Sequence, residues 1–204
     1  MAKPIRITAV AATTIAASLA LAGCTINLGT NDADNNGMMN GNGMMGNHSS
    51  ANPTNKSGFS GADIMFAQMM IPHHQQAVLM SNLALKTSSN PDVIALAKDI
   101  KAAQQPEIDQ LKGWLTKAGA PLEMGHSMGM GGMLTDGEIA TLSAATGTEF
   151  DKLFLQGMIA HHQGAIHMAQ MVIDSSNTEA EALGKAIVDS QTKQITYMQG
   201  LLKK

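Results

Sequence analysis

The chain repeats itself, and the repeat is helical. Phe66-x-x-x-Met70-Ile71-x-His73-His74-Gln75 recurs as Phe154-x-x-x-Met158-Ile159-x-His161-His162-Gln163, 88 residues later, and Ala77 and Met80 recur as Ala165 and Met168. A second correspondence follows at an offset of 87, where Ile100, Gln104, Ile108 and Gly113 match Ile187, Gln191, Ile195 and Gly200. Apolar residues three and four apart mark amphipathic helices, and no strand-like alternation interrupts them. Two similar helical hairpins in tandem bury their stripes most simply against each other, as a four-helix bundle with approximate two-fold symmetry. The expected fold is therefore all-α, with a short extra helix in the long central connection.

Local signals place the helix ends. Ser60-x-x-Asp63 reads as a capping box opening a helix to about Lys86. Asn90-Pro91 starts a second, to about Lys117, with Gly119 to end it and Pro106 expected to kink it. Thr135-x-x-Glu138 opens the short helix, to about Ala145, and Thr148-x-x-Asp151 opens the third long one, to about Ser175. Asn177 caps the fourth, which runs to the C-terminus.

What lies outside the helices has a different composition. Lys3 and Arg6 precede an apolar run from Ile7 to about Ala22, followed by Leu21-Ala22-Gly23-Cys24. The run is short for a membrane span and ends in small residues, as a signal peptide does. The tetrapeptide resembles the lipobox of bacterial lipoproteins, which implies cleavage after residue 23 and acylation of Cys24, the single cysteine of the chain. Residues 24–59, rich in Asn, Gly and Met, read as a flexible tether carrying Met38-Met39, Met44-Met45 and His48. Residues 60–204 then form the folded domain, interrupted by a Gly/Met-rich loop at 119–134. Cleavage would leave 11 basic and 16 acidic side chains, a net charge of −5, with no basic cluster to hold a nucleic acid.

The histidines sit at the edges of the buried stripes. At about 100° per residue, with Met70 at zero, Phe66 falls near −40° and Ala77 near −20°, while His73 and His74 flank this stripe near about −60° and +40°. Met80 and Met69 fall on the His73 side, at about −80° and −100°. The second copy repeats the map, with His161 and His162 flanking Met158 and with Met168 beside His161. His167 lands on the opposite face. Neutral imidazole and thioether together suit Cu(I), and imidazole also suits Cu(II), Zn(II) and Ni(II), whereas thioether is a poor ligand for hard ions, so the combined set points to copper, or to silver as its mimic. The 17 methionines stand against one Trp, one Tyr and one Cys, so part of their number is ordinary core filling. The candidate metal ligands are His73, His74, His161, His162, Met69, Met70, Met80, Met158 and Met168. His126, Met128 and Met130 of the central loop, and His167, are further candidates. Gly157 stands where the first copy has Met69, which predicts an interior richer in sulfur on the first repeat's side.

The doubled Met-Ile-x-His-His-Gln-x-Ala-x-x-Met motif resembles the bacterial family called domain of unknown function 305, over roughly residues 60–203. The resemblance implies a ferritin-like four-helix fold and, for some members, copper binding in the cell envelope. The ligands it implies fall on the same His and Met residues. Departures occur at Gly157 and at Ala160, where the first copy has Pro72.

The function expected is that of a lipoprotein, anchored in the cell envelope through lipid alone, that binds copper for sequestration, tolerance or trafficking. No catalytic residue and no cofactor for catalysis are expected, and homo-oligomerisation is left open. A structural or partner-binding lipoprotein with His and Met as plain core is the alternative. A ferritin-like metal oxidase is a lesser one, because such sites need Glu-x-x-His on their helices and the only such spacing here, Glu123 to His126, lies in the loop.

Overall fold

A computed structural model of the chain describes residues 57–124 and 131–204. The signal segment with Cys24, nearly all of the tether, and His126, Met128 and Met130 lie outside them. Within them there are five helices and no strand: α1 (Gly61–Thr87), α2 (Pro91–Ala118), α3 (Asp136–Ala144), α4 (Gly147–Ala169) and α5 (Thr178–Leu201). The architecture is a helical bundle. α1 pairs with α2 and α4 with α5, and the two hairpins meet through α1 and α4, with the short α3 resting on α4.

The capping chemistry acts where the sequence places it. Ser60 and Asp63 form a reciprocal capping box, Asn90 caps α2 ahead of Pro91, Asn177 caps α5, and Gly119 ends α2 at φ 64°. α2 runs on through Pro106, whose missing N–H releases the carbonyl of Ala102, an exposed residue.

α4 differs from expectation at both ends. It starts at Gly147, not at Thr148, because Gly147 turns at φ 58° and lets Thr146 O accept from Phe150 N at 3.3 Å. Thr148 is then already inside the first turn. The helix stops at Ala169 instead of Ser175, and the chain continues in tighter turns, with Met171, Val172 and Ser175 each bonding three residues back. α5 presses there. A Cβ on Gly184 would lie 2.8 Å from Val172 Cγ2 and 3.3 Å from Ala169 O.

Each hairpin's turn is pinned to the first helix of the other hairpin. Ser175 Oγ, between α4 and α5, donates to Asp63 Oδ1 at the start of α1 (2.7 Å). Ser88 Oγ, between α1 and α2, donates to Asp151 Oδ1 at the start of α4 (2.5 Å). The two serines also accept equivalently, from Asn177 N and Asn90 N, each at 3.1 Å. These matched clasps make α1 and α4 antiparallel and express the two-fold relation that the repeat predicts.

The core divides into two apolar clusters along the bundle. One gathers Phe66, Met69 and Met70 of α1, Ile108 to Leu115 of α2, Ala165 and Met168 of α4, and Ala180 to Ile187 of α5. The other gathers Ala77, Met80 and Ala84 of α1, Val93 to Ile100 of α2, Phe150 to Met158 of α4, and Met198 of α5. On every long helix the buried side chains between the two stretches are polar (His73 and His74, Gln104, His161 and His162, Gln191), and they form the centre of the site.

Candidate metal centre

Four helices contribute a pair of polar side chains each to the level between the clusters: His73 and His74 from α1, Gln104 and Glu107 from α2, His161 and His162 from α4, Gln191 and Gln194 from α5. All four histidines are fully buried, and Gln104 and Gln191 are each 2% exposed. Helical spacing explains the set, since adjacent His residues straddle one stripe while residues three apart on α2 and α5 share a face.

Antiparallel pairing of α1 and α4 brings His73 and His161 ring to ring, with centroids 3.7 Å apart and planes tilted by 37°. The outer histidines keep matching positions. His74 lies 6.5 Å from His73 and His162 lies 6.4 Å from His161, both at 56°. Each outer ring then meets the second helix of its own hairpin. His74 Nε2 is 2.8 Å from Glu107 Oε2, a short approach off the line of the ring N–H. His162 Nε2 is 2.6 Å from Gln194 Oε1. His73 Nε2 reaches Gly131 O at 3.3 Å.

Burial dominates the electrostatics. Burial first, with the neighbouring histidines adding to it, holds His73 down at about 3, His161 at about 2 and His162 at about 4. The hydrogen bonds to Gly131 and Gln194, and a poorly aligned approach of the His73 backbone to His161, oppose the shifts at His73, His162 and His161 without reversing them. These three rings are therefore neutral at physiological pH, each with a free lone pair. Nδ1 of His73, His74 and His162, both ring nitrogens of His161, both amide atoms of Gln104 and Oε1 of Gln191 have no hydrogen-bond partner. Buried polar atoms are rarely left so, and here they concentrate in one layer.

The chemistry of these donors fits a soft or borderline metal ion. Convergence is another matter. Among the described residues no three His, Cys, Asp or Glu side chains are arranged around a common ion position. The contact between His73 and His161 explains this, because two touching rings fill the middle of the layer. Ligation by three or more of the layer's histidines requires the rings to turn.

The methionines bracket the layer. Met69, Met70 and Met168 lie in the first cluster and Met80, Met158 and Met198 in the second, all buried. Three of these six sulfurs come from the first hairpin and three from the second, because Met198 of α5 makes up for Gly157, so the excess expected on the first repeat's side is absent; antiparallel packing also puts three in each cluster. Met198 lies outside both His-His motifs, so motif spacing does not announce it. The gap left by Gly157 is filled by the loop: a Cβ there would lie 3.1 Å from Leu134 Cδ2 and 3.3 Å from Met80 Cε. His167 is exposed and stands apart from the layer, as its helical angle predicts.

The end of the central loop covers His73. Gln76 holds Leu134 by both amide atoms, donating to its O and accepting from its N, each at 2.8 Å. Gly131 and Gly132 lie against the backbone of α4 so closely that a Cβ on Gly164 would sit 1.8 Å from Gly131 O. Only glycine allows that approach.

Four of the layer's residues are not among the sequence candidates: Gln104, Glu107, Gln191 and Gln194. A signal for two of them is present, since Gln104 and Gln191 occupy a core position of the repeat between two isoleucines.

The fold and this layer define a class: helical bundles with a buried histidine layer between Met-containing cores. Over residues 63–202 the sequence matches the family described as domain of unknown function (DUF305), and the chain belongs to that family. Solved structures agree. A DUF305 protein from Streptomyces coelicolor is 34% identical, with a TM-score of 0.67 over 70% of this chain and 92% of that one. A DUF305 fragment from Deinococcus radiodurans is 33% identical, with a TM-score of 0.66 over 71% and 97%. CopM in its Cu(II)-bound form is 33% identical, with a TM-score of 0.60 over 69% and 95%. None of these relatives is described as an enzyme. No curated protein matches the sequence.

Proposed function

We propose that this domain binds copper as cargo through its histidine layer, with sulfur from the flanking methionines, and serves an envelope lipoprotein that sequesters or hands on the metal. The observation that carries the reading is the concentration of unpartnered ring nitrogens on four buried histidines at the junction of two Met-containing clusters. The relatives support it. CopM is known in Cu(II)-bound, Cu(I)-bound and Ag-bound forms. The Streptomyces coelicolor protein is described as a candidate secreted protein, in keeping with a signal segment and a lipid anchor at Cys24.

Neutral imidazoles accept copper without first losing a proton, and thioether keeps its lone pair at any pH. The test is copper titration of the purified protein against a competing chelator. Wild type should take up copper, and the variant carrying His→Gln at His73, His74, His161 and His162 should lose it. Unchanged affinity and stoichiometry in that variant would overturn the assignment.

The alternative reading, His and Met as plain core of a partner-binding lipoprotein, is favoured by the lack of a convergent ligand triad among the described residues. It requires that copper leave the melting temperature unchanged, whereas a ligand of the folded state raises it. The oxidase reading has less support. Among the described residues Glu107 is the one carboxylate against a layer histidine, and its counterpart is Gln194.

A further inference from the structure

The two halves of the histidine layer match in every residue but one. His74 faces Glu107, and at the equivalent place His162 faces Gln194. The substitution replaces a group that can only accept by one that can also donate. We infer that Glu107 is the positioning residue of the layer: it fixes His74 with its proton on Nε2, leaves Nδ1 as the atom that offers a lone pair to metal, and so makes the two halves inequivalent. The metal role rests on the copper reading, but the proton assignment does not.

A carboxylate oxygen 2.8 Å from Nε2 puts lone pairs against that nitrogen. A second lone pair on Nε2 would repel it, so the proton belongs there, even though the N–H does not point straight at the oxygen. Nδ1 of His74 is buried and has no partner. The same logic holds for His73, since the carbonyl of Gly131 accepts and cannot donate, and its Nδ1 is likewise unpartnered. His162 is different. With Gln194 Oε1 at 2.6 Å it holds the same tautomer, but rotation of the amide by half a turn presents an NH2 and reverses it. Histidine ligands of metals commonly give their second nitrogen to a carboxylate or a carbonyl, which sets tautomer and ring orientation. Glu107 is placed for that task, and it is 19% exposed, so its charge keeps some solvation.

The experiment is nitrogen-15 NMR of the metal-free full chain, labelled at histidine, at mildly alkaline pH, with the layer resonances assigned through single variants. Wild type should show His74 purely as the Nε2–H tautomer. In Glu107→Leu, which offers His74 no acceptor, the Nδ1–H form should appear at His74, and copper affinity should fall by about 10- to 100-fold, the usual cost of losing such a partner. Gln194→Glu should lock His162 as firmly as His74 and does not depend on Glu107→Leu folding. His74 found as Nδ1–H in wild type would overturn the inference, and so would Glu107→Leu leaving its tautomer unchanged. If the tautomers follow Glu107 while wild type takes up no copper, the copper reading fails and the proton assignment stands.

Discussion

His73 and His161 lie ring against ring with centroids 3.7 Å apart, both fully buried, and neither ring nitrogen of His161 has a well-aligned hydrogen bond, the backbone of His73 being its one polar approach among the described residues. A buried polar atom without a hydrogen bond costs on the order of 1–3 kcal/mol. The domain as described thus carries a penalty in the layer proposed to bind copper.

Replacing His161 by Phe should therefore stabilise the metal-free protein, by about 1–2 kcal/mol, while weakening copper uptake. Urea unfolding of wild type and His161→Phe without metal checks the first part, and chelator competition the second. A variant less stable than wild type would mean that the orphaned nitrogens are satisfied in solution.

Acid should unfold the metal-free domain earlier than carboxylate titration alone predicts. His73, His161 and His162 have folded values near 3, 2 and 4, all below the ordinary 6.5. Below 6.5 the unfolded chain takes up protons that the native state refuses, so stability is lost as pH falls and is regained above 6.5. Each group contributes a slope of at most about 1.4 kcal/mol per pH unit, fading as its folded value is reached. Unfolding free energies measured from neutral pH down to about 5 should show the fall, and it should flatten when the three histidines are changed to Gln.

One half of this site is legible in the sequence and the other is hidden. The doubled motif places His73, His74, His161 and His162 on inward arcs because helical angle follows from spacing alone. It sets His167 aside for the same reason. The repeat pairs Glu107 with Gln194, but their contacts with His74 and His162 are out of reach, because these depend on how far α2 and α5 slide along α1 and α4, which is fixed by packing. The distribution of sulfur is hidden for a related reason. Motifs read one after the other leave out Met198, which makes up for the sulfur missing at Gly157, and antiparallel helices send Met168 to join Met69 and Met70. The ends of α4 are set by Gly147 and Gly184, through a left-handed turn and a close approach that Thr148-x-x-Asp151 does not announce.

Glycines in this domain should divide sharply on substitution. Gly164→Ala places a Cβ 1.8 Å from Gly131 O, backbone that cannot yield without lifting the strap from His73. It should destabilise the domain by several kcal/mol or release residues 131–134, seen as faster amide exchange at Leu134. Gly113 and Gly200, equivalent helical positions in the two repeats, have nothing within 4 Å of where an added Cβ would lie, and alanine at either should stabilise by about 0.5–1 kcal/mol. Thermal melts of the three variants give the ranking, which is wrong if Gly164→Ala melts with wild type.

The paired clasps allow a comparison within one molecule. Ser175→Ala removes the hydroxyl that satisfies Asp63 Oδ1 at 2.7 Å, and Asp63 is 1% exposed. Ser88→Ala removes the equivalent bond to Asp151, which is only partly buried and can turn to water. A deprived buried acceptor costs about 1–3 kcal/mol and an accessible one much less. Ser175→Ala should therefore cost more than Ser88→Ala, although the two bonds are related by the repeat. Asp63 keeps its second oxygen on Ser60 N at 2.7 Å, so the capping box survives and the difference reports the clasp alone. Denaturant midpoints of the two single variants and the double variant check this. Equal losses would show that burial of the acceptor does not decide the cost. Because the clasps lie at opposite ends of α1 and α4, the double variant should lose close to the sum of the two single losses, as expected for sites without a shared partner.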